Sequence, residues 1–111
     1  MAIENKRLIP GSVLGSTLTT YYTAGDKARA VVQRMSFTNV SGTSADVTTY
    51  IVPSGGVASS ATEIDSAETV IFGRSLFSNV EGHVIDKGGT IQAFASTTGL
   101  VNIVASGVEI T

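Results

Sequence analysis

Turn-forming residues interrupt this chain roughly every eight to twelve positions. The breaks are Ala24-Gly25-Asp26-Lys27, Ser41-Gly42-Thr43-Ser44, Pro53-Ser54-Gly55-Gly56, Lys87-Gly88-Gly89 and Thr97-Thr98-Gly99. Long helices do not fit between them, and no heptad or internal repeat runs across them. The segments between the breaks carry β grammar. In residues 29–39, Val31, Met35 and Phe37 share one parity, and Arg34, Ser36 and Thr38 the other. In residues 46–52, Val47 and Ile51 oppose Thr48, Tyr50 and Val52. Such alternation marks strands with one wet face. The run 90–96 alternates as well, and Thr97-Thr98-Gly99 reverses the chain into a final β-rich run that nearly reaches Thr111. A chain that finishes inside its own sheet is expected to be a complete small β domain.

Strand candidates also lie at 17–23, near 63–65, at 68–72 and at 80–85, while 74–77 reads either as extended chain or as one helical turn. The expectation is one all-β domain, a β-sandwich or jelly roll of about seven to eight short strands. Its composition agrees. Hydrophobic residues make up 42% of the 111 positions and charged residues 14%, which favours a packed core over disorder. With no Trp, that core is built mainly from Val, Ile, Leu and Ala. Ser and Thr supply roughly a quarter of the residues, and they suit turns and strands respectively.

Residues 1–16 read differently. Charged and apolar residues mix without a clear period, and Pro10-Gly11-Ser12 breaks the segment. It is expected to form an extended N-terminal arm ahead of a sandwich spanning 17–111. Ile3, Leu8, Ile9, Val13 and Leu14 are too apolar for a solvated tail. Each forgoes about 1.5–3 kcal/mol if left in water. The inner faces of the sandwich already have Val, Ile and Phe to fill them, so the arm is expected to pack on another subunit, with Pro10-Gly11 as a hinge.

The residues that carry chemistry are sparse. No Cys is present, so disulfides, thiolate nucleophiles and Cys-based zinc sites are excluded. The single His, His83, has no second His at a metal-binding spacing, and no Gly-x-Ser-x-Gly elbow occurs. Glu63 and Asp65 would share one face of a strand, with Glu68 following. Paired carboxylates serve in glycosidic acid/base chemistry and in Ca²⁺ binding, but a sandwich of this size leaves little room for a cleft. A solvated acidic loop is the plainer reading, and a hydrolase built on Glu63, Asp65 and His83 the remote one. Gly55-Gly56 and Gly88-Gly89 lack the Gly-Lys-Ser/Thr ending of a phosphate loop and read as turns. Tyr21, Tyr22 and Tyr50 are the residues suited to stacking on a ligand, although their Thr neighbours favour packing.

A net charge of −2 with scattered cations gives no nucleic-acid track. Residues 1–10 lack the apolar stretch of a signal peptide, and no window has the length of a membrane helix. The reading therefore has no enzyme activity, no cofactor or metal, no nucleic acid and no membrane.

Several motifs follow one another in order. They are Arg7-Leu8-Ile9-Pro10-Gly11, Tyr21-Tyr22-Thr23-Ala24-Gly25, the run 30–37 into Thr38-Asn39-Val40-Ser41-Gly42-Thr43, Val52-Pro53-Ser54-Gly55-Gly56, Lys87-Gly88-Gly89-Thr90-Ile91-Gln92-Ala93 and Ser106-Gly107-Val108-Glu109-Ile110. In that order the chain resembles a group of small virion structural proteins of tailed bacteriophages. Gly88-Gly89 stands where that group typically has a Gly-Asp corner. The resemblance implies a non-enzymatic virion component made in the host cytoplasm, without settling head, neck or tail; one small domain with no long rod or fibre repeat puts head decoration ahead of a tail or neck position. The apolar area of residues 3–14 predicts a homo-oligomer, a trimer or ring, with other virion proteins as further partners. The rival reading is a glycan- or receptor-binding module of a tail fibre or spike that uses Tyr21, Tyr22 or Tyr50.

Overall fold

The strands pair as nested hairpins. In the computed structural model, which describes residues 3–25 and 28–111, β1 (Ile3–Val13) pairs with β9 (Val101–Ile110), and β2 (Thr19–Thr23) pairs with β8 (Thr90–Ala95). Inside these, β3 (Arg29–Asn39) pairs with the short strands β6 (Ser75–Phe77) and β7 (Val84–Ile85), and β4 (Ala45–Val52) pairs with β5 (Glu63–Val70). The β3–β9 and β4–β8 pairings roll this nest into two antiparallel sheets, ordered β1-β9-β3-β6 with β7 beside β3, and β2-β8-β4-β5. Consecutive strands from β1 to β4 alternate between sheets. That is the jelly-roll arrangement, and among the described residues it is all-β, as the turn spacing predicts.

The core lies between the sheets. From one sheet come Ile9, Val32, Met35, Phe37, Ile85, Ile103 and Ala105; from the other come Val47, Val70, Ile91 and Ala93, all at 1% exposure or less. Phe37 is the largest of the fully buried side chains, in keeping with an aliphatic core.

Residues 3–13 are not an arm. They form β1, in register with β9 from Ile3↔Ile110 to Val13↔Asn102. Leu8, Ile9 and Leu14 are buried in this chain's own core, while Ile3 and Val13 are exposed. The sandwich therefore begins at Ile3 rather than at position 17. The missing period has a physical cause. Register shifts fall between Arg7 and Ile9 and between Ile9 and Ser12, so Leu8 and Ile9 are both buried and the alternation is lost.

The same effect corrects β3. A register shift between Val32 and Arg34 switches its parity. Ala30 and Val32 point inward before it, and Met35, Phe37 and Asn39 after it, leaving Val31 half-buried on the outer side. At this bulge β9 approaches closely. A Cβ on Gly107 would lie 2.1 Å from the Val31 carbonyl oxygen, so only glycine fits there.

The candidates at 63–65 and 68–72 are one strand, β5. It is kinked where Ala67 takes φ 48°, and the Ala67 N–H donates to Thr48 Oγ1 at 3.2 Å. Residues 75–77 are strand, not helix. The turn expected at Ala24-Gly25-Asp26-Lys27 is seen at its first two residues. Ala24 donates to Gly89 O at 2.9 Å and accepts from Gly88 N at 3.0 Å, which ties this corner to the Lys-Gly-Gly corner. Asp26 and Lys27 lie outside the described residues.

Candidate functional site

The carboxylates of β5 do not converge. Register irregularities on either side of Thr49 set Glu63 opposite Tyr50 and Asp65 opposite Thr49. Asp65 turns inward and is 1% exposed, while Glu63 is half-buried and Glu68 exposed. Asp65 accepts from the Ser78 hydroxyl in a short bond, and from Asn79 N at 3.0 Å and Asn79 Nδ2 at 3.1 Å. Ser78 Oγ accepts in turn from Val80 N at 3.1 Å. These bonds organise the backbone between β6 and β7. His83 is exposed in that connection. Its backbone N–H donates to Val80 O at 2.9 Å, and its carbonyl accepts from Val32 N at 3.1 Å. Among the described residues no group of three or more His, Asp or Glu could hold a metal ion.

The three tyrosines occupy three environments. Tyr22 is buried, and its hydroxyl donates to Glu109 Oε2 at 2.5 Å. Glu109 Oε1 also receives Lys6 Nζ at 3.2 Å. Burial, then this hydrogen bond and the Glu109 charge, push the Tyr22 hydroxyl far above its ordinary range. The Tyr22 bond, aided by Lys6, outweighs partial burial and holds Glu109 below the usual carboxylate value. Tyr21 is half-buried against the core, and its hydroxyl oxygen accepts from Gly15 N at 3.4 Å. Tyr50 lies on the outer face of the second sheet. There it stacks on Phe94 with centroids 6.5 Å apart and planes 25° apart. Its hydroxyl is raised by partial burial and by the neighbouring Glu63.

Two features escaped the sequence reading. Asn39, 1% exposed, ties a corner together. Its Nδ2 donates to Thr43 O at 2.8 Å and Val70 O at 3.0 Å, and its Oδ1 accepts from Ser41 N at 2.9 Å and Ser41 Oγ at 2.7 Å. The signal was its parity with Met35 and Phe37. The second feature is Phe94, an aromatic at the wet parity of the run 90–96, beside Gln92. Such a placement marks an outer-face contact.

The outer face of the first sheet carries its own aromatic. Phe77 is 58% exposed, and the Arg34 guanidinium sits 4.8 Å from its ring centroid. On the far side of β3 from it, Gly11, Ser12 and Val13 of β1 and Asn102 and Val104 of β9 line a shallow hollow.

No protein-family model matches the chain, and no curated protein does. Solved structures share its fold. Over 98% of this chain and 88% of the other, it superposes on a subunit of Bacillus endospore appendages, a family of disulfide-linked pili, with TM-score 0.60 at 14% identity. It also superposes on a chain of infectious bursal disease virus, strain Gx, with TM-score 0.53 at 12% identity. The strain Gt structure gives TM-score 0.50 at 12% identity. Each viral match covers 97% of this chain but 30% of the viral one. At these identities the likeness is one of fold.

Proposed function

We propose that this chain is a non-enzymatic structural module that assembles from repeated copies. More finely, it is a virion protein of a tailed bacteriophage that decorates the head, with a tail or neck position as the alternative placement. The observation that carries this reading is the jelly roll itself. It takes up nearly the whole described chain, and the buried side chains of Asn39, Asp65 and Ser78 are committed to holding the backbone of its connections. The architecture it shares with a pilus subunit and a viral chain supports the assembly reading, and the ordered motifs of the sequence support the phage placement. Copies of this chain would be held without disulfide links, since it contains no cysteine. The proposed partners are further copies, in a trimer or ring, and other virion proteins.

Cryo-electron microscopy of the parent particle tests this. A repeated density fitted by the jelly roll on the head shell is the expected result. The same density on the tail or neck would move the placement, and its absence from the particle would sink the virion reading.

One observation favours a second reading. The Tyr50–Phe94 stack on an outer face, beside Glu63 and Gln92, has the aromatic and hydrogen-bonding groups that sugar rings use. Saturable binding on a glycan array that Tyr50→Ala abolishes would support it. The packing of Tyr22 and Tyr21 leaves Tyr50 as the tyrosine available for such a contact.

A further inference from the structure

The two sheets carry opposite charge. Outward positions of the first sheet hold Arg7, Arg29 and Arg34 and no carboxylate. Arg7 and Arg34 both lie in register with Ser106, one on each side, so they form a single row across β1, β9 and β3. Beyond Arg34 the row ends on exposed Phe77, and exposed Val104 and Val13 lie nearby. The strands of the second sheet contain no Lys or Arg at all. Their outer face presents Asp46 and Glu63 around the Tyr50–Phe94 stack, with Glu68 exposed on the edge strand. The first face thus carries an exposed aromatic on its edge strand and the second an aromatic pair on its two inner strands, each bordered by charge of one sign.

We infer that copies of this chain stack head to tail, the arginine-bearing outer face of one copy covering the carboxylate-bearing outer face of the next. This rests on the assembly reading above and names the surfaces it would use. Three arguments select a second copy in this orientation. Like-on-like contacts would set arginine against arginine, or carboxylate against carboxylate, which costs binding free energy. The opposite pairing brings guanidinium groups to carboxylates, where their planar fork is well suited, and apposes Phe77 to the Tyr50–Phe94 pair. The available area is sufficient. The molecule measures 45 × 26 × 18 Å, so its broad faces exceed the roughly 800 Å² per partner of a stable interface. Because the two contacting faces differ, every stack retains one free face of each kind, one at either end. Growth then continues into a filament, or closes into a ring if the rotation between copies allows.

The test uses the full chain and two variants, Arg7→Glu/Arg34→Glu and Asp46→Lys/Glu63→Lys, followed by sedimentation velocity. All four positions are at the surface, and far-UV circular dichroism checks that each variant folds. If one does not, Arg7→Gln/Arg34→Gln and Asp46→Asn/Glu63→Gln replace them. The unaltered chain should associate more strongly in about 0.01 M than in about 1 M salt, where screening lengths are roughly 30 Å and 3 Å. Each variant alone should need at least about tenfold higher concentration to associate, from like charges facing each other. An equimolar mixture of the two reversed variants should regain association beyond a dimer, because each then finds its opposite face on the other. If the unaltered chain associates but the variants do so equally well, these faces are not the contact, and the assembly reading survives. A mixture that stops at a dimer would assign a two-fold contact and overturn the head-to-tail arrangement. If the unaltered chain stays monomeric at every concentration, the assembly reading fails with it. Binding of an anionic polymer such as heparin to the arginine face of that monomer would then assign the face to a different occupant.

Discussion

Glu109 receives both the Tyr22 hydroxyl and the Lys6 ammonium, which makes it the centre of a small network where β1, β2 and β9 meet. Its folded pKa lies below its ordinary value of 4.5, so its contribution to stability is complete above that pH and is lost as pH falls through the folded value. Tyr22 is shifted the other way. Its contribution is complete below pH 10 and is lost as pH rises towards its raised folded value. Glu109→Gln should therefore lower stability by about 1–2 kcal/mol at neutral pH, since hydrogen bonds to a charged acceptor are the stronger kind. The deficit should shrink towards pH 3. Urea unfolding across that range checks it, and a deficit independent of pH would argue that the charge has no part. Nothing in the sequence announces this network, because Lys6, Tyr22 and Glu109 are far apart along the chain. Asn39 was more legible, standing at a buried parity in a strand. The Glu63–Asp65 pair shows the reverse case: spacing placed both carboxylates on one face, and the irregularity around Thr49 separated them.

At the scale of elements, the chain's own turn residues located β3, β4, β8 and β9 to within a residue or two, whereas 80–85 overran β7 by four residues and β5 was read as two strands. The runs 46–52 and 90–96 correspond to β4 and β8. Bulges defeated the rest. An inserted residue reverses the face that later side chains occupy, so a strand containing one has no single period to read. This is why β1 resembled an arm and why Val31 was assigned inward. The consequence for β1 is measurable. Removing residues 1–14 takes away an entire sheet edge together with the buried Leu8, Ile9 and Leu14. At about 1.5–3 kcal/mol for each buried side chain, the loss is comparable to the stability of a typical domain. The truncated chain should show no cooperative thermal transition by circular dichroism. Retention of a sharp transition and of the β spectrum would mean that the sandwich stands without this strand.

For the molecule as a whole, turn spacing counts strands but does not say which strand pairs with which. The class was therefore legible, and the choice between a generic sandwich and a jelly roll was not. The same limit applies to the charged faces. Arginines and carboxylates scattered along the sequence sort onto opposite sides only once β3 joins β9 and β4 joins β8. Domains dominated by such distant pairings fold on the scale of milliseconds to seconds. Refolding followed by stopped-flow fluorescence of Tyr21, Tyr22 and Tyr50 should fall in that range, and a submillisecond phase carrying the full amplitude would contradict it. The β1–β9 pairing also bears on how the chain is made. Ribosomes deliver β1 first, yet its partner leaves the exit tunnel only after the other strands have emerged. Until then Leu8 and Ile9 have no sheet to join, so the nascent chain carries an unsatisfied strand until β9 has been made and can seal the roll.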